Sequence, residues 1–130
     1  MSDKAIRDDV TFVLVGHCGA DSYSLTHAIR SAVPGAAIVH AGDEKSCAQA
    51  MEGDAVLLVN RVLDGRFTTD SGVELIANLA KAKPKSKIVL ISNYADAQQA
   101  AVAAGARPGF GKSQVGSAST AELLRSLAQD

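Results

Sequence analysis

Tryptophan is absent and aromatic residues make up only 4% of the 130-residue chain, which leaves no stacking platform for single-stranded nucleic acid. An excess of one charge is missing too. Thirteen Lys and Arg face fourteen Asp and Glu, a formal net charge of −1, too little to draw the chain to DNA or an anionic membrane. Two cysteines, Cys18 and Cys47, are too few for a disulfide framework and have no paired metal-ligand spacing. The main apolar runs, 10–15, 55–59 and 88–91, are far too short to span a bilayer, and the opening MSDKAIRDD is polar rather than signal-like. These absences set the expectation of a cytoplasmic protein that takes no metal or cofactor and has no nucleic-acid or membrane partner.

What is present is small and aliphatic. The apolar fraction is 47%, mostly Ala, Val, Leu and Ile, and the length suits one domain, 1–130, with a core over about 10–127 behind a short polar N-terminal tail. VTFVLVG (10–16) is a continuous β-branched run, as expected of a strand buried on both faces. Asp21 or Ser22 is expected to cap a first helix with Leu25, Ile29 and Val33 as its buried stripe, stopped by Pro34-Gly35. Residues 37–41 form a second strand, and a short helix follows with Cys47, Ala50 and Met51 on one face.

AVLLVN (55–60) is the third strand, and a polar loop over 61–70 leads to the capping box Ser71-x-x-Glu74. The helix after it has Val73, Ile76, Ala77 and Ala80 as its apolar face. KIVLIS (87–92) is the fourth strand. Asp96 with Gln99 repeats the box before an Ala-rich helix that ends at Gly105. Pro108 makes 107–110 an edge strand, and Ser119-x-x-Glu122 opens a last helix carrying Leu123, Leu124 and Leu127. Apolar strands joined by helix-length crossovers imply an α/β fold: a doubly wound, five-stranded parallel sheet in the flavodoxin-like order 2-1-3-4-5, a three-layer sandwich. Its crevice then lies at the carboxyl ends of strands one, three and four, around 16–21, 59–65 and 92–95.

The segment KIVLISNYADAQQAAVAAGARPGFGKS (87–113) resembles the receiver domains of response regulators (CheY-like): a strand ending in a hydroxyl residue, a helix, Gly-Ala, then Lys. AGDEKSCAQAMEGDAVLLVNRVLDG (41–65) is similar to the receiver's second helix, third strand and following loop. The resemblance implies that Ser92 is the family's hydroxyl residue and Lys112 its lysine. It also implies an aspartate that accepts the phosphoryl group, and a Mg²⁺ ion held by that aspartate and an acidic pair. Here Gly16 and His17, or a neighbour one residue away, stand for the acidic pair. Val59 or Asn60 stands for the phosphoacceptor, and Ser113 for the family's Pro. Neither Gly16 nor His17 can serve as a hard oxygen ligand for Mg²⁺, and neither Val59 nor Asn60 can attack phosphorus. The chain therefore reads as a pseudo-receiver, a two-component-like signalling module that is not an enzyme and is not phosphorylated.

Such a module acts through a protein partner or as a homodimer. Its surface is expected on the fourth helix, fifth strand and fifth helix, with Ala97, Ala101, Phe110 and Arg125 as candidate contact residues and Phe110 as an exposed anchor. An Asn60–Lys112 contact would hold the domain in one conformation, and Asp64 on the long loop is a possible substitute acid. The alternative is a small-molecule or anion-binding protein, or a thiol-dependent one, using the crevice at His17, Cys18, Asn60 and Lys112. In that reading Cys18 is a reactive thiol at a helix N-terminus beside an imidazole. Ligation of a metal by His17 and Cys18 with His40 or Cys47 has no supporting spacing. His27 reads as a surface residue. Gly16-x-x-Gly19 lacks the further residues of a dinucleotide or P-loop fingerprint.

Overall fold

The structure, a computed structural model, describes residues 10–129. The polar segment before residue 10 lies outside the described residues. Five strands, β1 (Thr11–Val15), β2 (Ala37–Ala41), β3 (Ala55–Asn60), β4 (Lys87–Ile91) and β5 (Arg107–Phe110), form one sheet in the order β2-β1-β3-β4-β5. Every pairing is parallel. The crossover helices are α1 (Gly19–Ala32), α2 (Glu44–Ala50), α3 (Gly72–Ala82), α4 (Ala95–Ala103) and α5 (Ala118–Leu127).

Side chains alternate across each strand, so the continuous apolar runs supply two cores at once. Phe12 and Leu14 of β1, Val56 and Leu58 of β3 and Val89 and Ile91 of β4 meet Leu25 and Ile29 of α1 and Leu124 and Leu127 of α5. Val13, Val15, Leu57, Val59, Ile88 and Leu90 face the other way, onto Cys47, Leu75, Ile76, Leu79 and Ala101. Burial raises the Cys47 thiol pKa to about 11, as befits a core residue. Among the described residues no helix is long and apolar enough to cross a membrane.

Several helix starts differ from the sequence expectation. The N-cap of α1 is Cys18, which makes no side-chain cap bond, so Asp21 and Ser22 lie inside the helix. The N-cap of α4 is Tyr94, likewise uncapped by its side chain, and Asp96 accepts from its neighbour Ala97 N–H instead of closing a box with Gln99. α5 starts at Ser117, whose Oγ accepts the Thr120 N–H, two residues before the expected Ser119. Ser71 does cap α3, but Glu74 turns to the Thr69 hydroxyl, so only half of that box forms. The face of α3 is also rotated: Gly72, Leu75, Ile76 and Leu79 are buried, while Val73, Ala77 and Ala80 are only partly so.

The contact residues expected on the α4–β5–α5 face, with Phe110 as its exposed anchor, are corrected as well. Phe110 is 5% exposed and packs in the α1–α5 core, and Ala101 is fully buried in the other core. Ala97 and Arg125 are half-buried. The β4–β5 register shifts between Val89 and Ile91, which is what brings Phe110 opposite Ile91.

Candidate functional site

The crevice forms where the sheet order reverses, between the turns that follow β1, β3 and β4. Asn60 ends β3 in register with Ile91 and is the strand's one buried polar residue. Its amide Nδ2 donates to the Gly16 carbonyl at 2.9 Å and to the Val62 carbonyl at 2.8 Å. Both partners are acceptors, so the nitrogen must point at them. Val59, one residue earlier, is fully buried among core side chains. The crevice residue is Asn60.

Gly16 takes φ +73°, a left-handed conformation that glycine adopts without strain. A Cβ there would lie 2.7 Å from Leu63 Cδ2. Leu63, itself buried, closes over the end of β1, and the Asp64 N–H donates to the same Gly16 carbonyl that Asn60 holds. The β3–α3 loop (61–70) is tied down elsewhere too. Arg66 N–H donates to Gly42 O, and Thr68 gives both its N–H and its hydroxyl to the Glu44 carboxylate. The Asp64 side chain is exposed and lines neither crevice cavity.

His17 turns inward. Its Nε2 lies 2.8 Å from the Leu58 carbonyl, so this nitrogen carries the proton, and the buried Nδ1 has no hydrogen-bond partner. Burial lowers the imidazole's pKa below its ordinary 6.5, against an opposing push from the Leu58 bond, and nearby Lys112 lowers it further. Neither ring nitrogen bonds Cys18, which is exposed at the start of α1. His40 is exposed on β2 and Cys47 lies in the core, and no cluster of three His, Cys, Asp or Glu suited to a metal occurs among the described residues. His27 is exposed on α1.

Lys112 follows β5 and reaches across to α1, where its Nζ meets Asp21 Oδ2 at 2.8 Å with both side chains about one-third exposed. The Lys112 hydrogen bond, and then a Cys18 contact, hold the Asp21 carboxyl below its ordinary range despite some burial. The expected Asn60–Lys112 contact is not made; Asn60 spends its amide on the two carbonyls. Ser92 is buried, and its Oγ accepts the Tyr94 N–H. Asn93 Oδ1 accepts both the N–H and the hydroxyl of Ser113, the former a bond that proline could not make. Sequence reasoning missed Asn93, and also Gln98. The Gln98 amide donates to the Leu90, Ser92 and Phe110 carbonyls and accepts from Gly109, bridging the irregular β4–β5 pairing. Arg61 and Tyr94 were missed too; the Arg61 guanidinium lies 4.7 Å from the Tyr94 ring centroid, joining the β3–α3 and β4–α4 turns.

No protein-family model matches the sequence, and no curated protein sequence matches it. Solved structures do. A response regulator from Thermotoga maritima aligns over 92% of this chain and 98% of its own, with TM-score 0.71 and 16% identity. The NtrC4 receiver domain, a dimer in its beryllofluoride-activated form, aligns over 92% and 94%, with TM-score 0.67 and 18% identity. NtrX from Brucella abortus aligns over 92% of this chain with TM-score 0.64 and 17% identity, and this chain spans only 28% of its length. The fold is the receiver fold.

A receiver's Mg²⁺ needs several hard oxygen ligands in near-octahedral array. Here Gly16 has no side chain, and Leu63 fills the space one would need. His17 presents a neutral imidazole that is spent on a carbonyl. At the end of β3 an amide N–H₂, not a carboxylate, already satisfies the Gly16 and Val62 carbonyls. Asp21 is engaged by Lys112. These residues do not fit Mg²⁺.

Proposed function

We propose that this chain is a receiver-fold interaction module that takes no phosphoryl group and works through a protein partner or a second copy of itself. The observation that carries the reading is Asn60. Its amide replaces a nucleophile with a delocalised, non-nucleophilic group and satisfies the carbonyls of the β1 and β3 ends by hydrogen bonds rather than through a cation. The loops around it are fastened by bonds that need no modification: Thr68 to Glu44, Asp64 to Gly16, Ser113 to Asn93. A module of this kind holds one conformation at all times. The NtrC4 dimer supports self-association as one mode of action.

The test is incubation of the full chain with Mg²⁺ and acetyl phosphate, followed by intact-mass measurement, with a beryllofluoride NMR titration alongside. The mass is expected to stay constant, and the amides of Asn60, Ser92 and Lys112 to keep their positions. Gain of one phosphoryl group would overturn the proposal.

A further inference from the structure

KAKPKSK (81–87) holds four of the chain's seven lysines, and none of the four lines the crevice. Two of them serve helix C-termini, where cations are favoured. Lys83 Nζ donates to the Met51 carbonyl at the end of α2, 2.7 Å away, and Lys87 Nζ donates to the Leu127 and Gln129 carbonyls at the end of α5. Lys85 makes no hydrogen bond or ion pair among the described residues. Residues 83–87 wall a cavity of about 510 Å³ at the amino ends of β3 and β4, the opposite end of the sheet from the crevice. The α2–β3 turn (51–55) forms its other wall. Met51, Ala55 and Pro84 line it with apolar surface, and Lys83, Lys85 and Ser86 bring donors to it. It stays open at Gly53, where a Cβ would meet no atom within 4 Å.

Three lysines line the cavity against one carboxylate, Asp54. The C-termini of α2 and α3 end on it as well, at Met51 and Lys83, and each brings about half a negative charge. The balance is about one positive charge, which suits an anion of a single charge. A purely polar anion would leave the apolar lining unused, and a neutral apolar molecule would leave the lysines unused. The volume lies within the range of ligand pockets, about 300–1,000 Å³. We infer that this cavity binds a small organic monoanion, an oxyanion head such as a carboxylate on an apolar body. Lys83, Lys85 and Ser86 hold the head, and Met51, Ala55 and Pro84 cover the body. Lys83 already ties the α3–β4 turn to the end of α2. A ligand lying on both turns adds a second tie, and it stabilises the fold because only the native chain offers the site. The cavity shares no residue with the crevice, so ligand binding here and the partner role proposed above fail separately.

The test is an amide NMR titration of the full chain with octanoate at fixed pH and ionic strength. Acetate, the charge without the body, and octylammonium, the body with the opposite charge, are the controls. Saturable shifts confined to 51–55 and 83–87 are expected with octanoate and with neither control. For a ligand of about ten heavy atoms, half-saturation is expected at about 1 mM or tighter. Gly53→Leu, which sets a side chain in the open space, is expected to abolish the shifts. Lys85→Glu is expected to weaken binding about fivefold or more, since it removes an attraction and adds a repulsion. Both positions are exposed, so far-UV circular dichroism and the urea midpoint are expected to stay as in the wild-type chain. Octanoate shifts that stay linear, that acetate or octylammonium reproduces, or that survive either substitution would overturn the inference. The amides of Asn60, Ser92 and Lys112 are expected to stay still throughout, so a negative result here leaves the phosphorylation test unaffected.

Discussion

Asn60 places one amide nitrogen between two carbonyl oxygens, so the cost of losing it is set by what it leaves behind. Asn60→Leu keeps the approximate volume but takes one donor from the buried Gly16 carbonyl and the donor of the part-buried Val62 carbonyl. A buried polar group without its partner costs about 1–3 kcal/mol, and Gly16 O retains the Asp64 N–H. A loss of about 1–3 kcal/mol is therefore expected, measured as a lower urea midpoint at unchanged slope. His17 is the second residue whose burial has a measurable consequence. Above its ordinary pKa of 6.5 the imidazole is neutral in both the folded and unfolded chain. As pH falls below 6.5 the unfolded chain takes up the proton first, because burial depresses the folded value, and stability drops until the folded imidazole titrates in turn. His17→Gln, whose amide can still donate to Leu58 O, is expected to flatten the stability profile just below pH 6.5. His27 and His40 are exposed and remain. The carboxyls of Asp21, Asp43 and Glu44 are held low by their hydrogen bonds, so their contributions are lost only at more acid pH, outside this window. A profile unchanged by His17→Gln would show that the ring is not the group responsible.

Among the elements, the helix starts allow a sharp comparison. Ser117 Oγ accepts the Thr120 N–H at 3.2 Å, whereas Ser119 only touches the Ser117 hydroxyl and is exposed. Ser117→Ala is expected to cost about 1 kcal/mol, the usual worth of an N-cap, and Ser119→Ala less than about 0.5 kcal/mol. Thermal unfolding of the two variants checks this, and equal losses would contradict the assignment of the cap. The sequence offered Ser119-x-x-Glu122 as a box because spacing alone cannot say which of two nearby hydroxyls meets the first free N–H. That depends on how the 3₁₀ turn at Lys112–Gln114 delivers the chain. The same limit applies to α4. Its alanines differ little in hydrophobicity, so no periodicity separated buried Ala101 from exposed Ala100. Phe110 was misplaced for a related reason: the β4–β5 register shift decides which way it points, and such an irregularity leaves no mark in a four-residue strand. The strands themselves were legible, since β2, β3 and β5 run over the segments that their apolar runs and flanking turns predict.

At the scale of the whole molecule the sheet order was readable, because five strands joined by helix-length, right-handed crossovers leave few alternatives. The crevice then followed from topology alone, while its contents did not: Asn60 was foreseen as a residue but not in its two carbonyl partners, which depend on how the turns after β1 and β3 fold around it. Self-association is argued at this scale too. With Phe110 and Ala101 withdrawn into the cores, the exposed residues of α4, β5 and α5 include Gln99, Ala100, Val102 and Ala103 of α4, Arg107 and Pro108 of β5 and Glu122 of α5. Val102 is the only large apolar side chain of that set, at 44% exposure. A twofold pairing would set this patch against its own copy and cover Val102, with Arg107 and Glu122 available as opposite charges at the rim. Sedimentation equilibrium is expected to show a concentration-dependent dimer. Val102→Glu would bring two carboxylates together at its centre and leave a monomer with unchanged far-UV circular dichroism and, at concentrations low enough that the wild-type chain is also monomeric, an unchanged urea midpoint, since an exposed side chain carries little of the fold's stability. A Val102→Glu variant that still dimerises would move the contact to another face, whereas a wild-type chain that stays monomeric at every concentration would leave the surface to a different protein.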